Sequence, residues 1–216
     1  MLARSFYKLV SFPLLRLTLP YECPCVRYIN QGPTDSVFSG WHSLREGLYT
    51  GSNADKLLKH GKIDYALNHL NSFRGNRWTE RGHLLEDEAI ELYERIRQIS
   101  VLRPGFVTND KYPDFGYSPD AIDSALIEVK CFDEPNHLEL IRAKKIDDIP
   151  LKILAQVYFG LTITELPLAY LIPYHPKIKD PKERFKIIEI PPKRAVISNF
   201  KKIMLGGRDE YPRKSY

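Results

Sequence analysis

Two acids and an amine carry the first indication of chemistry. Asp120 lies in Tyr117-Ser-Pro-Asp120, and Glu128 and Lys130 lie in Leu126-Ile-Glu-Val-Lys-Cys131. Alternation along 126–132 sends Ile127, Val129 and Cys131 to one face of a strand and Glu128 and Lys130 to the other. The strand is otherwise apolar and belongs inside a sheet, where two charges are costly unless something compensates them. A turn over Asp120–Ser124 folds Asp120 back toward Glu128. Two carboxylates converging with an amine at a strand end form an oxygen-lined cage for a hard divalent cation. Magnesium favours one or two carboxylates completed by waters and a phosphate oxygen. The cation offsets the repulsion between the acids, and Lys130 is placed to orient or activate an attacking water. A structural Glu128–Lys130 contact at an exposed edge strand would use the same residues. Asp114 and Asp123 are rivals for the aspartate; Asp120 is preferred because it sits at the strand-to-turn point facing the Glu128 strand.

These side chains need elements to hold them. A helix is predicted from Thr79 to about Ser100, with Leu85, Ala89, Leu92, Ile96 and Ile99 as one apolar stripe at helical spacing. Glu88, Glu91 and Glu94 fall opposite that stripe, whereas Glu86 shares its edge with Gly82 and Tyr93, about 100° from Leu85. An acid at that edge reaches a site at the end of a sheet. The favourable interaction of an acid with a helix start is the structural reading of the same residue. Further upstream, Trp41-His-Ser-Leu-Arg45-Glu-Gly-Leu-Tyr-Thr-Gly-Ser52 ends in a Gly-Ser turn opening a helix through Ala54, Leu57 and Leu58, capped by Ser52 or Asn53. Backbone amides at such an opening bind anions, and Arg45 adds a bidentate fork for phosphate. On a mostly buried helix over Leu151–Thr164, Lys152, Gln156 and Gly160 recur every fourth residue, a strip facing either nucleic acid or water.

Strands are expected over Val101–Thr108, Phe115–Ser118, Leu126–Phe132, Leu168–Pro173 and Phe185–Ile190, with a closing amphipathic helix over Arg194–Leu205. This order of helices and strands predicts an α/β fold, a central mixed β-sheet flanked by helices. The chain of 216 residues, 43% hydrophobic and 27% charged with 12 glycines, has the composition of an ordinary packed globule. That excludes a disordered tail, a collagen-like chain and a coiled coil. No apolar run is long enough for a membrane-spanning helix, so no membrane partner is expected. Three cysteines (Cys23, Cys25, Cys131) suit neither a secreted disulfide framework nor a four-thiolate metal site, and indicate a reducing, intracellular compartment. The net charge of +5 is unevenly placed: from Lys177 onward there are 12 Lys/Arg against five Asp/Glu. A basic end on a slightly acidic body suits a polyanionic partner beside an acidic metal site; a merely solvated surface is the alternative.

Met1–Pro20 contains Arg4, Lys8 and Arg16, several hydroxyls and no acid, with Leu2, Phe6, Leu9 and Val10 at roughly helical spacing before Pro13. That is the pattern of a mitochondrial or other organelle transit peptide, or of an ordinary N-terminal helix packed on the domain. Residues 1–30 are accordingly read as an N-terminal extension and 31–216 as one domain with a basic C-terminal segment.

Taken together, Trp41-His-x-Leu-Arg45-x-Gly-x-x-Thr-x-Ser52, Gly82-x-x-x-Glu86, Ser118-Pro-Asp120, Glu128-Val-Lys130-Cys131 and Ala155-Gln156-Val157 resemble the bacteriophage lambda exonuclease family, the YqaJ-type viral recombinases of the PD-(D/E)xK nuclease superfamily. The blocks occur in the family's order over roughly 31–176. The resemblance implies a restriction-endonuclease-like core and metal-dependent hydrolysis of DNA phosphodiesters, in recombination or repair. It implies that Asp120, Glu128 and the Val129 carbonyl ligate Mg2+ or Mn2+, and that Glu86 completes the site through a water or a second ion. Lys130 would position the nucleophilic water and Gln156 would help hold it or the scissile phosphate. Arg45 and Ser52 match positions that bind a 5′-terminal phosphate, favouring 5′→3′ exonuclease action on duplex DNA ends. The family's ring-shaped homotrimer and single-strand annealing partner are further implications. This chain departs from the family pattern at Ala121, where members often have Gly, and its Trp41 block starts later, consistent with an added N-terminal segment. A structure-specific endonuclease of the same superfamily and a catalytically inactive DNA-binding domain are the alternatives; a Cas4-like enzyme is disfavoured because the four cluster cysteines are absent.

Overall fold

The computed structural model describes residues 24–29, 45, 47–61 and 77–210, with the side chains of the last stretch described over 84–206. The transit-peptide expectation for Met1–Pro20 and the start of the Trp41 block lie outside the described residues, as do the surroundings of Gly82.

The elements run β1 (Val26–Ile29), β2 (Tyr49–Thr50), a 3-10 turn (Gly51–Asn53), α1 (Ala54–His60), α2 (Arg77–Arg97), β3 (Phe106–Asn109), β4 (Phe115–Tyr117), β5 (Ala121–Ile122) and β6 (Leu126–Lys130). They continue with α3 (Glu134–Ile141), a 3-10 turn (Ile146–Asp148), α4 (Leu151–Thr164), β7 (Ala169–Pro173), a 3-10 turn (Pro181–Glu183), β8 (Ile188–Ile190) and α5 (Arg194–Glu210). The fold is α/β, and among the described residues the strands form two four-stranded mixed sheets, ordered β1-β3-β4-β2 and β5-β6-β7-β8, where the sequence suggested one. The division falls at Ser118-Pro119-Asp120. Pro119 has no N–H with which to carry a ladder from β4 into β5, so the chain leaves one sheet there and starts the other.

In the second sheet β6 pairs antiparallel with β5 and parallel with β7, and β8 closes the edge antiparallel to β7. Both faces of β6 are covered. Ile127 and Val129 pack with Ala89, Ile90 and Tyr93 of α2, while Leu126 belongs to the larger core with Tyr117, Phe159 and Phe200. The α4 helix is apolar nearly all round because it runs through the middle of that core. Phe159 is fully buried and meets Phe200 of α5 edge-on, ring centroids 5.7 Å apart. Burying a side chain of this size contributes about 1.5–3 kcal/mol.

The buried face of α2 differs from the expected stripe. Ala89, Ile90 and Tyr93 are inside, whereas Ile96 is 53% and Ile99 38% exposed. The face is rotated by about one residue, or roughly 100°, because β6 offers its small and branched side chains to Ala89, Ile90 and Tyr93. The rotation brings Glu86, three and four residues before that pair, into line with the buried face instead of its edge. The α3 helix has no counterpart among the expected elements. It starts on Asp133, whose side chain accepts from Asn136 N, with Pro135 in its first turn.

Candidate active site

The β5–β6 hairpin sets the geometry. Its register pairs Ala121 with Ile127 and Ile122 with Leu126, and one further step along the same diagonal puts Asp120 opposite Glu128. Asp120 Oδ2 accepts from the Val129 backbone N–H at 2.6 Å. In an extended strand the N–H and C=O of one residue leave the same edge, so the Val129 carbonyl lies on the edge that Asp120 occupies. The turn that closes the hairpin is Asp123-Ser124, where Asp123 Oδ1 accepts from Ala125 N at 2.6 Å. Tyr93 Oη donates to Asp123 Oδ2 at 2.6 Å, fastening the hairpin to α2. Asp123 is therefore a turn anchor, and Asp120 is the aspartate of the cluster. The third candidate, Asp114, precedes β4 and its carbonyl accepts from Tyr49 N.

Glu128 is 2% exposed and fully engaged. Lys130 Nζ donates to its Oε1 at 2.5 Å, Gln156 Nε2 of α4 donates to the same oxygen, and the Tyr117 hydroxyl donates to Oε2. Lys130 Nζ also donates to Gln156 Oε1 at 3.1 Å. The site thus has a closed Glu128–Lys130–Gln156 triangle with Tyr117 as its fourth corner. Gln156 faces the site, so the strip of Lys152, Gln156 and Gly160 is not a single surface. Lys152 is exposed, Gln156 is half-buried and Gly160 is buried against Tyr117 and Leu126.

The electrostatics of the cluster are those of crowded acids. Burial, followed by the charges of Glu128 and Glu86, pushes the Asp120 carboxyl well above the usual range; Lys130 and the Val129 N–H oppose this. Burial alone would lower Lys130, but Glu128, Asp120 and Glu86 outweigh it and raise its pKa, so the amine stays an ammonium. Burial and then Glu86 push the Cys131 thiol up to about 12, keeping it protonated. Glu86 acts on Asp120, Lys130 and Cys131 alike, so the structure brings it into the field of the cluster from α2.

A second group lies next to this one. Arg45 Nη2 donates to Thr50 Oγ1 at 3.1 Å and reaches Ser52 Oγ at 3.4 Å, and the two hydroxyls are 3.1 Å apart. Burial lowers the Arg45 pKa, yet a guanidinium stays charged at any ordinary pH. The turn that carries Ser52 touches the acid cluster through Gly51, where an added β-carbon would stand 2.8 Å from Tyr117 Cε2 and 3.3 Å from Gln156 Cγ. Thr50 and Tyr117 were not among the expected site residues. Thr50 stands inside the Arg45 block, whereas a tyrosine ending an apolar strand is indistinguishable in sequence from a core aromatic.

Among the described residues no three His, Cys, Asp or Glu side chains form a ready-made metal cluster. The donor set that is present, two facing carboxylates with a main-chain carbonyl on their edge, fits a hard divalent cation that completes its shell with water and phosphate oxygens. The raised Asp120 is compatible with this, since burial leads the shift and the charges of Glu128 and Glu86 add to it, and a bound cation would offset both.

Residues 40–167 match the family model of the YqaJ-like viral recombinase domain, more than half of the chain. The chain belongs to the YqaJ-like viral recombinase domain family. No curated protein matches the sequence. The alkaline exonuclease LHK-Exo of Laribacter hongkongensis, solved in complex with dAMP, is 20% identical and superposes with a TM-score of 0.68 over 80% of this chain and 91% of that one. A second structure of the same exonuclease gives a TM-score of 0.65 with the same identity and coverage. The YqaJ-like chain therefore has the fold of an alkaline exonuclease, the PD-(D/E)xK type.

Proposed function

We propose that the chain is a divalent-metal-dependent nuclease that degrades duplex DNA from its ends, 5′→3′ and with recognition of the 5′-terminal phosphate, in DNA recombination. The observation that carries this reading is the pairing of Asp120 with Glu128 across the β5–β6 hairpin, with Lys130 and Gln156 tied to Glu128. Asp120, Glu128 and the Val129 carbonyl would hold Mg2+ or Mn2+, with Glu86 completing the shell through a water or a second ion. When bound, the ion supplies positive charge at the scissile phosphate and acidifies its water. Lys130, kept as an ammonium between Glu128 and Gln156, orients the water and neutralises charge on the phosphate. Gln156 steadies that ammonium from α4. Arg45, Thr50 and Ser52 receive the terminal phosphate, a guanidinium and two hydroxyls within reach of one anion. The likeness in fold to an exonuclease solved in complex with dAMP supports a site that takes a nucleotide. A homotrimer and a single-strand annealing partner belong to the same proposal by family membership.

The test is digestion of end-labelled linear duplexes, with and without a 5′ phosphate, in magnesium and then in EDTA. Release of label from 5′-phosphorylated ends only in magnesium is the expected result. Cleavage of covalently closed circles would make the enzyme an endonuclease, and duplex binding without cleavage would make it an inactive binding domain.

A further inference from the structure

We propose that Tyr117 is a positioning residue, holding the Glu128 carboxylate in the orientation that a bound cation needs; this rests on the metal-dependent reading above. Tyr117 ends β4 and is 1% exposed. Its hydroxyl donates to Glu128 Oε2, while Lys130 and Gln156 both donate to Oε1. With donors on both oxygens, the carboxylate cannot turn about its last bond without breaking at least one hydrogen bond. Removing Tyr117 alone frees Oε2 and leaves the other two donors in place.

The ring itself is held on two sides by residues with no side chain. A β-carbon on Gly51 would stand 2.8 Å from Tyr117 Cε2, and one on Gly160 would stand 2.7 Å from Cζ. Two backbones, the turn before α1 and the middle of α4, thus close on the ring and aim its hydroxyl. A phenylalanine would fill the same slot, so packing does not account for the oxygen. What the oxygen adds is one donor to a buried carboxylate. Hydrogen-bond partners that orient a metal-binding carboxylate typically change metal affinity 10–100-fold when removed.

The experiment titrates Mn2+ into the full-length protein without DNA and reads free Mn2+ by electron paramagnetic resonance, for the wild type, Tyr117→Phe and Gly51→Ala. Tyr117→Phe is expected to weaken Mn2+ binding by about 10–100-fold. Its kcat on 5′-phosphorylated duplex falls while KM holds, and its melting temperature in EDTA falls modestly, because a buried carboxylate oxygen loses one donor. A purely packing role would lower the melting temperature and leave the Mn2+ affinity intact; that pattern overturns the proposal. Gly51→Ala keeps the hydroxyl but crowds the ring out of its seat, and it should weaken Mn2+ in the same direction. Should Tyr117→Phe fail to fold, Gly51→Ala decides alone, and unchanged affinity there overturns the proposal. Wild-type protein that takes up no Mn2+ would sink the metal reading and this inference together. Equal uptake by wild type and Tyr117→Phe would sink only the role of Tyr117.

Discussion

At the β5–β6 hairpin the main chain does the placing, whereas at the Thr50–Asn53 turn side chains hold one another. Asp120 faces Glu128 because Ala121 pairs with Ile127, and a register can change only in whole steps, each of which reverses the faces of the strand. Arg45, Thr50 and Ser52 stay together through hydroxyl and guanidinium contacts of 3.1–3.4 Å, which can lengthen by small amounts. The acid pair is therefore all-or-none, and the Arg45 cluster is adjustable. Chemistry that depends on the hairpin should be lost outright by one substitution; selectivity that depends on the turn should fall by degrees.

The largest break is expected at the hairpin. Glu128→Ala or Lys130→Ala should lower the cleavage rate by about a thousandfold while largely sparing duplex binding in a gel-shift assay. Comparable turnover in either variant would defeat the assignment. Tyr93→Phe probes what keeps the hairpin fastened to α2. It leaves the buried Asp123 short of one donor and should cost about 1–3 kcal/mol in urea unfolding; an unchanged midpoint would mean that the register holds without this anchor. At the turn, Arg45→Ala should reduce the preference for 5′-phosphorylated over 5′-hydroxyl ends by roughly tenfold, with the rate on hydroxyl ends little altered. An intact preference would remove Arg45 from that role.

A pH series sharpens the same contrast. Because the Asp120 carboxyl is raised in the folded protein, its contribution to stability is present below the ordinary aspartate range and is lost as pH rises through its folded pKa. A divalent cation held by Asp120 would displace that proton, so its binding should strengthen with pH. The gap in melting temperature between magnesium and EDTA should widen from mildly acidic to neutral pH; a constant gap would contradict the coupling. The smallest effect belongs to the basic C-terminal segment. Deleting it would remove β8 and the buried Phe200, Ile203 and Met204, so charge substitutions are the cleaner probe. Lys201→Gln or Lys202→Gln should reduce the salt dependence of duplex binding by about one phosphate contact, and an unchanged slope would leave the helix face merely solvated.

Most of the hairpin was legible because its information is local. Alternation put Glu128 and Lys130 on one face, and Asp120-x-x-Asp-Ser spelled the turn, so the pairing followed from residues within a dozen positions. The α4 boundaries were legible for the same reason, an unbroken apolar helix between Pro150 and Glu165. The two-sheet division was not, since it depends on where the chain leaves a ladder at Pro119, and single strands do not announce their neighbours. The face of α2 was read one residue off because several registers of its apolar residues are almost equally good in sequence. Packing against Ile127 and Val129 chose Ala89, Ile90 and Tyr93. Tyr117 escaped notice because its partners, Gly51, Glu128 and Gly160, are spread over the chain and meet only in the fold.

Calorimetric titration of Mg2+ into the DNA-free protein tests the central claim most directly, with wild type compared against Asp120→Asn and Glu128→Gln. Saturable uptake by the wild type, with proton release, and its loss in both variants are the expected results. Absence of uptake by the wild type, or equal uptake by all three proteins, would contradict the claim.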